Sequence, residues 1–458
     1  MRLANLIGPD LQATLRADPE GLQRALSAFH AEDVAEILDD LSLEEALEIV
    51  LVLSAEQGAS VLERLSSERQ GELLRALPAD RVSELLRVMS PDDRVDFLQG
   101  LSEDEAALVL AHLEKAEPEV AEEIRELTVW PEDTAGGLMT TEYVSLSPET
   151  KVWEAIEAAR RVSRERVVET IYYIYVCAYG DKLLGVVSLR DLILGDPGQA
   201  LSDVMTENVV RVGPSDDQEQ VAETMAKYDF SALPVVDERG RMLGVVTVDD
   251  VVDVVIQEAT EDAQKMGGVV PLESSYFETG LGEFIWKRAA WLIVLFLGQM
   301  LTASVMQRHE GFLATMLNLV VFIPLIIASG GNSGSQSSSL VIRALAIGEI
   351  GPLDWWRVLQ RELVIGVCLG LLLGVIGFGR AYFLGSSALI MPIAIAVSLS
   401  ILAVVILGTL VGSILPLLIK RLGLDPAVSS TPFIASLVDV LGLVVYFGVA
   451  GWVIRFAN

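Results

Sequence analysis

The stretch Ser430-Thr-Pro-Phe-Ile-Ala-Ser-Leu-Val-Asp-Val-Leu-Gly-Leu-Val-Val-Tyr-Phe-Gly-Val-Ala-Gly-Trp-Val453 decides the fold. Its 24 residues are apolar or small almost throughout, and they carry a single charge, Asp439. As a helix such a run crosses the ~30 Å of a bilayer's hydrocarbon. A carboxylate facing lipid there costs ~2.5–3.5 kcal/mol, so Asp439 must face a protein interior or a water-filled path. A polar bridge between helices would need only a neutral Asn or Ser. Asp439 therefore reads as the cation site of a membrane pore.

Four more apolar stretches precede it, giving spans at about 289–307, 313–340, 362–384, 388–419 and 430–454. Lys287, Arg288, Arg343, Arg357, Arg361, Lys420 and Arg421 flank one side, against Arg308, Arg380 and Arg455 on the other. That asymmetry puts the N-terminal half in the cytoplasm and, with an odd number of spans, the C-terminus outside. Trp286, Trp291, Trp355 and Trp356 sit where interfacial anchors belong. The second span is expected to be interrupted at Ser329-Gly-Gly-Asn-Ser-Gly-Ser-Gln-Ser-Ser-Ser339, whose polar groups need other helices or a wet lumen. Some of these glycines would equally serve a close helix crossing.

The rest of the chain is of another kind. Of 458 residues, 52% are hydrophobic, yet charge is divided sharply. Residues 284–458 hold ten Lys/Arg and six Asp/Glu, net +4, which leaves 23 basic and 58 acidic residues, net −35, in residues 1–283. Such a field repels nucleic acid and anionic surfaces and attracts cations. Cys177 and Cys368 offer no disulfide framework, and His30, His112 and His309 have no zinc spacing. Met1–Leu11 lacks the basic start and apolar core of a secretory signal, which is consistent with cytosolic placement.

Within residues 1–130 an apolar beat recurs every twelve residues, at Phe29, Leu41, Leu53, Leu65, Leu77, Met89, Leu101 and Leu113. Ser42, Ser54, Ser66, Ser90 and Ser102 follow the beat as N-caps, with Glu45, Gln57 and Glu105 three positions on, and Pro91 fits a first turn. Each repeat is one short helix, too small to bury its apolar side alone, so the repeats should stack as a helical solenoid. Most of its acids read as a solvated face. Asp92, Asp93 and Asp96, three carboxylates in five residues, stand out as candidate ligands.

Residues 131–256 repeat a βαββα unit. Met139–Thr140 and Met205–Thr206 open the two copies, and Gly185-Val-Val-Ser-Leu-Arg-Asp-Leu192 and Gly244-Val-Val-Thr-Val-Asp-Asp-Val251 close them. This resembles a tandem pair of cystathionine β-synthase (CBS) domains, which commonly bind adenosine nucleotides. Ser188 and Asp191 could take ribose hydroxyls, Arg190 a phosphate, and Tyr173 or Phe230 a base; Ser188 and Asp191 could equally be a plain helix cap. The chain contains no Gly-Lys dipeptide and so no Walker A loop, making ATP a regulator and the protein no enzyme. Asp249, Asp250, Asp253, Glu258, Glu261 and Asp262 then put six carboxylates into fourteen residues of one expected helix, with no Lys or Arg before Lys265. Like charges at that spacing destabilise a helix unless a cation neutralises them, the other reading being an ordinary solvated acidic helix. Hard oxygens without Cys or His suit Mg2+ or Ca2+, and Glu219 and Asp229 could add more.

At Pro324…Gly331-Asn332-x-Gly334-x-Gln336 and Asp425-Pro-Ala…Pro432…Leu437-Val-Asp439 the chain resembles the MgtE family of bacterial magnesium channels, and the order of its parts matches from end to end. The resemblance implies a multidomain fold: an all-α helical-repeat N-domain (1–130), α/β tandem CBS domains (131–256), an acidic connecting helix (257–283) and an α-helical transmembrane pore domain with five spans (284–458). It implies a homodimer in the bacterial plasma (inner) membrane, with Asp439 and Asn332 at the pore. Asp92, Asp96, Glu219, Asp229, Asp250, Asp253, Glu258, Glu261 and Asp262 would be regulatory Mg2+ ligands or their neighbours, and Tyr173, Arg190, Asp191 and Phe230 an ATP site. Two rival functions stay open: a secondary transporter coupling Mg2+ to Na+ or H+, and a membrane-tethered nucleotide sensor that moves no ion.

Overall fold

The twelve-residue beat folds as short helices: α1 Pro19–Leu26, α2 Ala31–Asp40, α3 Leu43–Val52, α4 Ala55–Leu62, α5 Ser67–Ala76, α6 Ala79–Val88, α7 Pro91–Gln99, α8 Glu103–Ala116 and α9 Pro118–Leu127. They belong to a computed structural model that describes residues 18–165, 171–272, 276–277, 279–384 and 390–457; Met1–Leu11 lies outside the described residues. Ser42 and Ser102 complete capping boxes with Glu45 and Glu105, while Ser54 and Ser90 accept from the amides of Gln57 and Asp93. Each such cap is worth about 1 kcal/mol, and together they set where every turn begins. Leu38, Val50, Leu62, Leu73, Leu86 and Leu98 form the shared core. Alternate helices stack, the second on the fourth and the fourth on the sixth, so residues about thirty apart meet. Arg69 caps the carbonyls of Leu38 and Leu41, and Arg81 repeats this one beat later on Val50 and Leu53.

The doubled unit follows with β1 Val144–Leu146, α10 Val152–Glu165, β2 Tyr173–Ala178, β3 Lys182–Ser188, α11 Leu189–Leu194 and α12 Leu201–Val204, then α13 Gln218–Tyr228, β4 Ala232–Val236 and β5 Met242–Thr247. Strand β1 pairs parallel to β2, β2 antiparallel to β3, and β4 antiparallel to β5. Both hairpins bulge at the matching place, Val176/Cys177 and Val235/Val236. The copies exchange their opening segments: Thr140 pairs with Val245 of β5, and Thr206 with Val186 of β3. The glycine of each closing signature makes room for this, because a Cβ on Gly185 would meet Met205 and one on Gly244 would meet Met139. These elements and the solenoid lie in one compact unit, residues 1–256.

Helix α14, Val248–Met266, carries the acidic run. The second unit, residues 257–458, contains α15 Leu281–Arg308, α16 Glu310–Thr315, α17 Leu317–Val320, α18 Ile323–Ala346, α19 Trp355–Leu384, α20 Ile390–Arg421 and α21 Thr431–Ala457. Among the described residues, five segments are long and apolar enough to cross a membrane: Leu281–Arg308, Leu317–Ala346, Pro352–Phe383, Ile390–Arg421 and Thr431–Phe456. The expected interruption at Ser329–Ser339 is absent, because α18 runs unbroken through it and the backbone bends earlier, around Met316 and Val321. The polar run is a contact surface. Gly330 and Gly334 let α18 lie against Val404 and Gly408 of α20 and Val438 and Ile434 of α21; Ser335 and Ser338 donate to carbonyls at the entry of α21, Ser329 donates back to the Leu325 carbonyl, and Ser333 Oγ is buried with no partner among the described residues. A second small-residue face holds α19 on α20: Gly366, Gly370, Gly374 and Gly377 meet Thr409, Leu402, Ser398 and Ile401. Of the expected interfacial anchors, Trp286, Trp355 and Trp356 are exposed. Trp291 instead packs under Gly268 and donates to Ser430 Oγ at 2.9 Å.

Candidate ion pathway and regulatory sites

Asp439 lies in the third turn of α21, which is helical from Thr431 to Ala457. It is half-buried and accepts from Gln299 Nε2 of α15 at 2.9 Å, and Gln299 also approaches Ser436 Oγ at 3.4 Å. The carboxylate thus faces other helices, as its cost in lipid required. Gly331 of α18 packs beside it on Ala435, where even an added methyl would stand 3.7 Å from Asp439 Oδ1. The neighbouring Asn332 is exposed, and among the described residues no hydrogen bond joins it to Asp439. Gln299 is the partner that sequence reading missed; it sits in an apolar helix of its own, and an amide within a span was the available signal.

In the first unit, Asp92, Asp93 and Asp96 share α7 with Pro91 at its first position, and Glu63 reaches them from the end of α4, thirty residues back. Asp92 is 6% exposed, and its Oδ1 has no hydrogen-bond partner among the described residues. Burial, reinforced by Asp93, pushes its carboxyl well above the ordinary range, while Ser90 and Thr140 pull the other way. Asp96 is exposed, and crowding around its carboxyl together with Asp92 and Asp93 raises it, whereas burial with Asp93 lifts Glu63 to about 7 against the pull of Arg64. Asp93 also rises, mainly by burial, and feels the charge of Asp249 at the start of α14. Glu63, Asp93 and Asp249 are therefore part of this acidic joint. Glu63 comes from three helices earlier and Asp249 from the start of α14, so tertiary packing brings them to Asp93, which no local motif reveals.

The unfolded chain would ionise Glu63 near 4.5, whereas the fold ionises it only near 7. The folded joint holds more protons between those limits, so it loses stability as pH rises from about 4 to 7. In EDTA, amide exchange in α7, corrected for its intrinsic rate, should quicken over that range, and Mg2+ should suppress the effect. Exchange that ignores pH would show the carboxylates to be solvated.

The other expected ligands are dispersed. Glu219 and Asp229 occupy opposite ends of α13, about 15 Å apart along its axis. Asp250 accepts from Thr247 Oγ1 at 2.5 Å as a helix cap, and Asp253 is exposed. Among the described residues no three acidic, histidine or cysteine side chains converge at metal-coordinating distance. The donor set nevertheless suits a hard divalent cation: oxygens only, with one of them, on Asp92, buried and unpartnered.

In the second unit, Lys265 joins Glu261 and reaches Asp425 Oδ2 at 2.6 Å. Burial alone would lower the Lys265 ammonium, but its hydrogen bonds to Asp425 and Glu261 outweigh that and hold it above its usual value. Burial and the nearby Asp425 raise Asp262. Lys287 Nζ donates to the Pro271 carbonyl at 2.8 Å. The end of α14 is thereby tied to the loop that leads into α21.

Tyr173, Ser188, Asp191 and Phe230 line one cleft of about 160 Å3, together with Thr206 and Asn208. Ser188 caps α11, with its Oγ 2.6 Å from Asp191 Oδ2, so the cap reading holds alongside any ligand role. Tyr175, 2% exposed, also lines the cleft, and its hydroxyl has no partner among the described residues. Arg190 is exposed and does not line it.

Family comparison agrees with this arrangement. Residues 323–449 match the divalent cation transporter family MgtE, residues 29–133 the MgtE intracellular N domain, and residues 135–196 and 201–257 CBS domains. The magnesium transporter MgtE of Thermus thermophilus is 43% identical over 334 residues, 73% of each chain. That of Enterococcus faecalis is 37% identical over 338 residues, 74% of this chain and 73% of the relative. Among solved structures, the cytosolic domain of the Mg2+ channel MgtE in complex with ATP superposes with a TM-score of 0.51 at 40% identity, covering 55% of this chain and all of that one. The soluble part of a magnesium transporter gives 0.52 at 32% identity, covering 56% of this chain and 99% of that one. A helical N-domain, a CBS pair and five membrane-length helices in this order, with 43% identity along most of the chain, make it a member of the MgtE family.

Proposed function

We propose that the chain is a Mg2+ channel of the bacterial plasma membrane, a homodimer whose two Asp439 carboxylates face each other across the pore, and that cytosolic Mg2+ closes it. The observation that carries this reading is Asp439 itself, a half-buried carboxylate in a 26-residue apolar span whose partner is a neutral amide. Mg2+ sheds water reluctantly, so such a pair would hold a largely hydrated ion, with Asn332 and carbonyls ordering its waters. The charge count supports a cytosolic first half and a C-terminus outside.

Gating follows from the acidic joint. Asp92 and Asp96 on α7, with Glu219, Asp229, Asp250 and Asp253 of the CBS region, would share Mg2+ when it is abundant and repel when it is scarce, and Glu258, Glu261 and Asp262 would be regulatory ligands of their own further along α14. Ions that bind the compact form better shift the population toward it, and the channel closes. The tie from Lys265 to Asp425 gives α14 a mechanical hold on the loop entering α21. The domain limits at 130, 256 and 283 belong to this scheme.

ATP would sit in the cleft of Tyr173, Asp191 and Phe230, with Arg190 swinging to a phosphate, as a regulator. Phe230→Ala together with Asp191→Ala should weaken ATP binding about tenfold or more by calorimetry, since a base stack contributes ~1–3 kcal/mol. Unchanged binding would move the nucleotide elsewhere.

The deciding experiment is Mg2+ flux into proteoliposomes with internal Mg2+ varied. Flux that falls as internal Mg2+ rises and reverses at the Mg2+ equilibrium potential alone is the expected result. Reversal that follows a Na+ or H+ gradient would replace the channel by a coupled transporter, and ATP binding with no flux would leave a sensor.

A further inference from the structure

Asp439 has a counterpart on the other side of α18. Glu362 lies two turns into α19 and is 8% exposed, and Ser337 Oγ of α18, itself 5% exposed, donates to its Oε2 at 2.6 Å. An ionisable group buried to that degree is costly unless its neighbours justify it. Elsewhere α19 packs on α20 through its glycine face, so this bond is the one side-chain hydrogen bond from α19 to α18 among the described residues. The same turns of α18 are fixed on their other side by Ser338 to the Ser429 carbonyl at 3.4 Å and Ser335 to the Thr431 carbonyl at 3.3 Å. Six residues earlier on the same unbroken helix, about 9 Å away along the axis, Gly331 forms the wall beside Asp439.

We propose that Glu362 is a positioning residue for ion passage: its hydrogen bond with Ser337 sets the height and rotation of α18, and so the room that Gly331 leaves at Asp439. This rests on the reading of Asp439 as the ion site. A carboxyl is suited to the task because it accepts a short, strong bond where a leucine would leave the Ser337 hydroxyl buried and unpaired. A glutamine keeps an acceptor at the same reach, so the bond and the passage should survive that change.

The test compares Ser337→Ala, Glu362→Leu and Glu362→Gln in proteoliposomes and in thermal melts of the full chain in detergent. Ser337→Ala and Glu362→Leu should each lower maximal Mg2+ flux about tenfold, with the internal Mg2+ that half-inhibits it changed by less than about twofold, while Glu362→Gln stays within about twofold of the parent. The double variant Ser337→Ala/Glu362→Leu should melt no lower than the worse single one, because both lose the same bond. Full flux in Ser337→Ala, a Glu362→Gln variant as poor as Glu362→Leu, or additive melting losses would overturn the proposal. The melts read the bond whether or not ions pass, so a parent without flux would sink the channel reading while additive melts would sink the tie. Should Glu362→Leu not fold, flux through Ser337→Ala compared with Glu362→Gln decides the matter: a tenfold loss in the first beside a near-parental second supports the tie, and any other pattern overturns it.

Discussion

Replacing Asp439 by Ala should abolish Mg2+ flux while leaving the protein folded. Two unit charges about 4 Å apart at the effective dielectric of a protein surface attract by about 4 kcal/mol, and a divalent ion doubles the stake. Losing even ~3 kcal/mol of that stabilisation lowers passage more than about 100-fold. Folding should not suffer, because the carboxylate's neighbours are a neutral amide, a serine and a glycine wall, and no basic side chain is left unpaired by its removal. Asp439→Asn separates charge from shape: it keeps the bond to Gln299 and should still lose most of the flux. Uptake at parental rate in either variant, measured with a fluorescent Mg2+ indicator inside the vesicles, removes Asp439 from the pathway.

Much of this architecture was legible because its causes are local. N-caps three residues before a Glu or Gln, and a beat of twelve, define the α1–α9 solenoid without any tertiary knowledge. The doubled Gly-Val-Val signatures foretell the CBS pair, down to the methionines that each glycine admits. Two features escaped. The Ser329–Ser339 run looked like a break because its polarity was weighed against lipid; against α20 and α21 the same small residues allow backbone contact, and the helix continues. Gln299, Glu362 and Glu63 were passed over because each acquires its meaning from a partner 140, 25 or 30 residues away. A charge or amide in an apolar helix tells that a partner exists, and only packing tells which. Trp291 shows the converse error, an aromatic at the right height for lipid whose indole N–H is claimed by Ser430.

Neutralising Asp250, Asp253, Glu258 and Glu261 together should release the channel from inhibition by internal Mg2+. All four belong to α14, whose far end is tied through Lys265 to Asp425 and so to the loop before α21. If divalent ions stabilise the closed form by binding among these carboxylates, that stabilisation grows as RT ln(1 + [Mg2+]/Kd), and removing four charges should raise the half-inhibiting concentration about tenfold or more. Within the helix, relief of the Asp250/Asp253 and Glu258/Glu261 repulsions offsets the loss of the Glu261–Lys265 pair and of the Asp250 contact with Thr247. Patch currents from giant vesicles would then persist at internal Mg2+ that silences the parent, with unchanged single-channel conductance because Asp439 is untouched. Inhibition that survives all four substitutions would move the sensor off α14. The joint of Glu63, Asp92, Asp93 and Asp96 would then carry the inhibition, and Asp92→Asn with Asp96→Asn should shift it in their place.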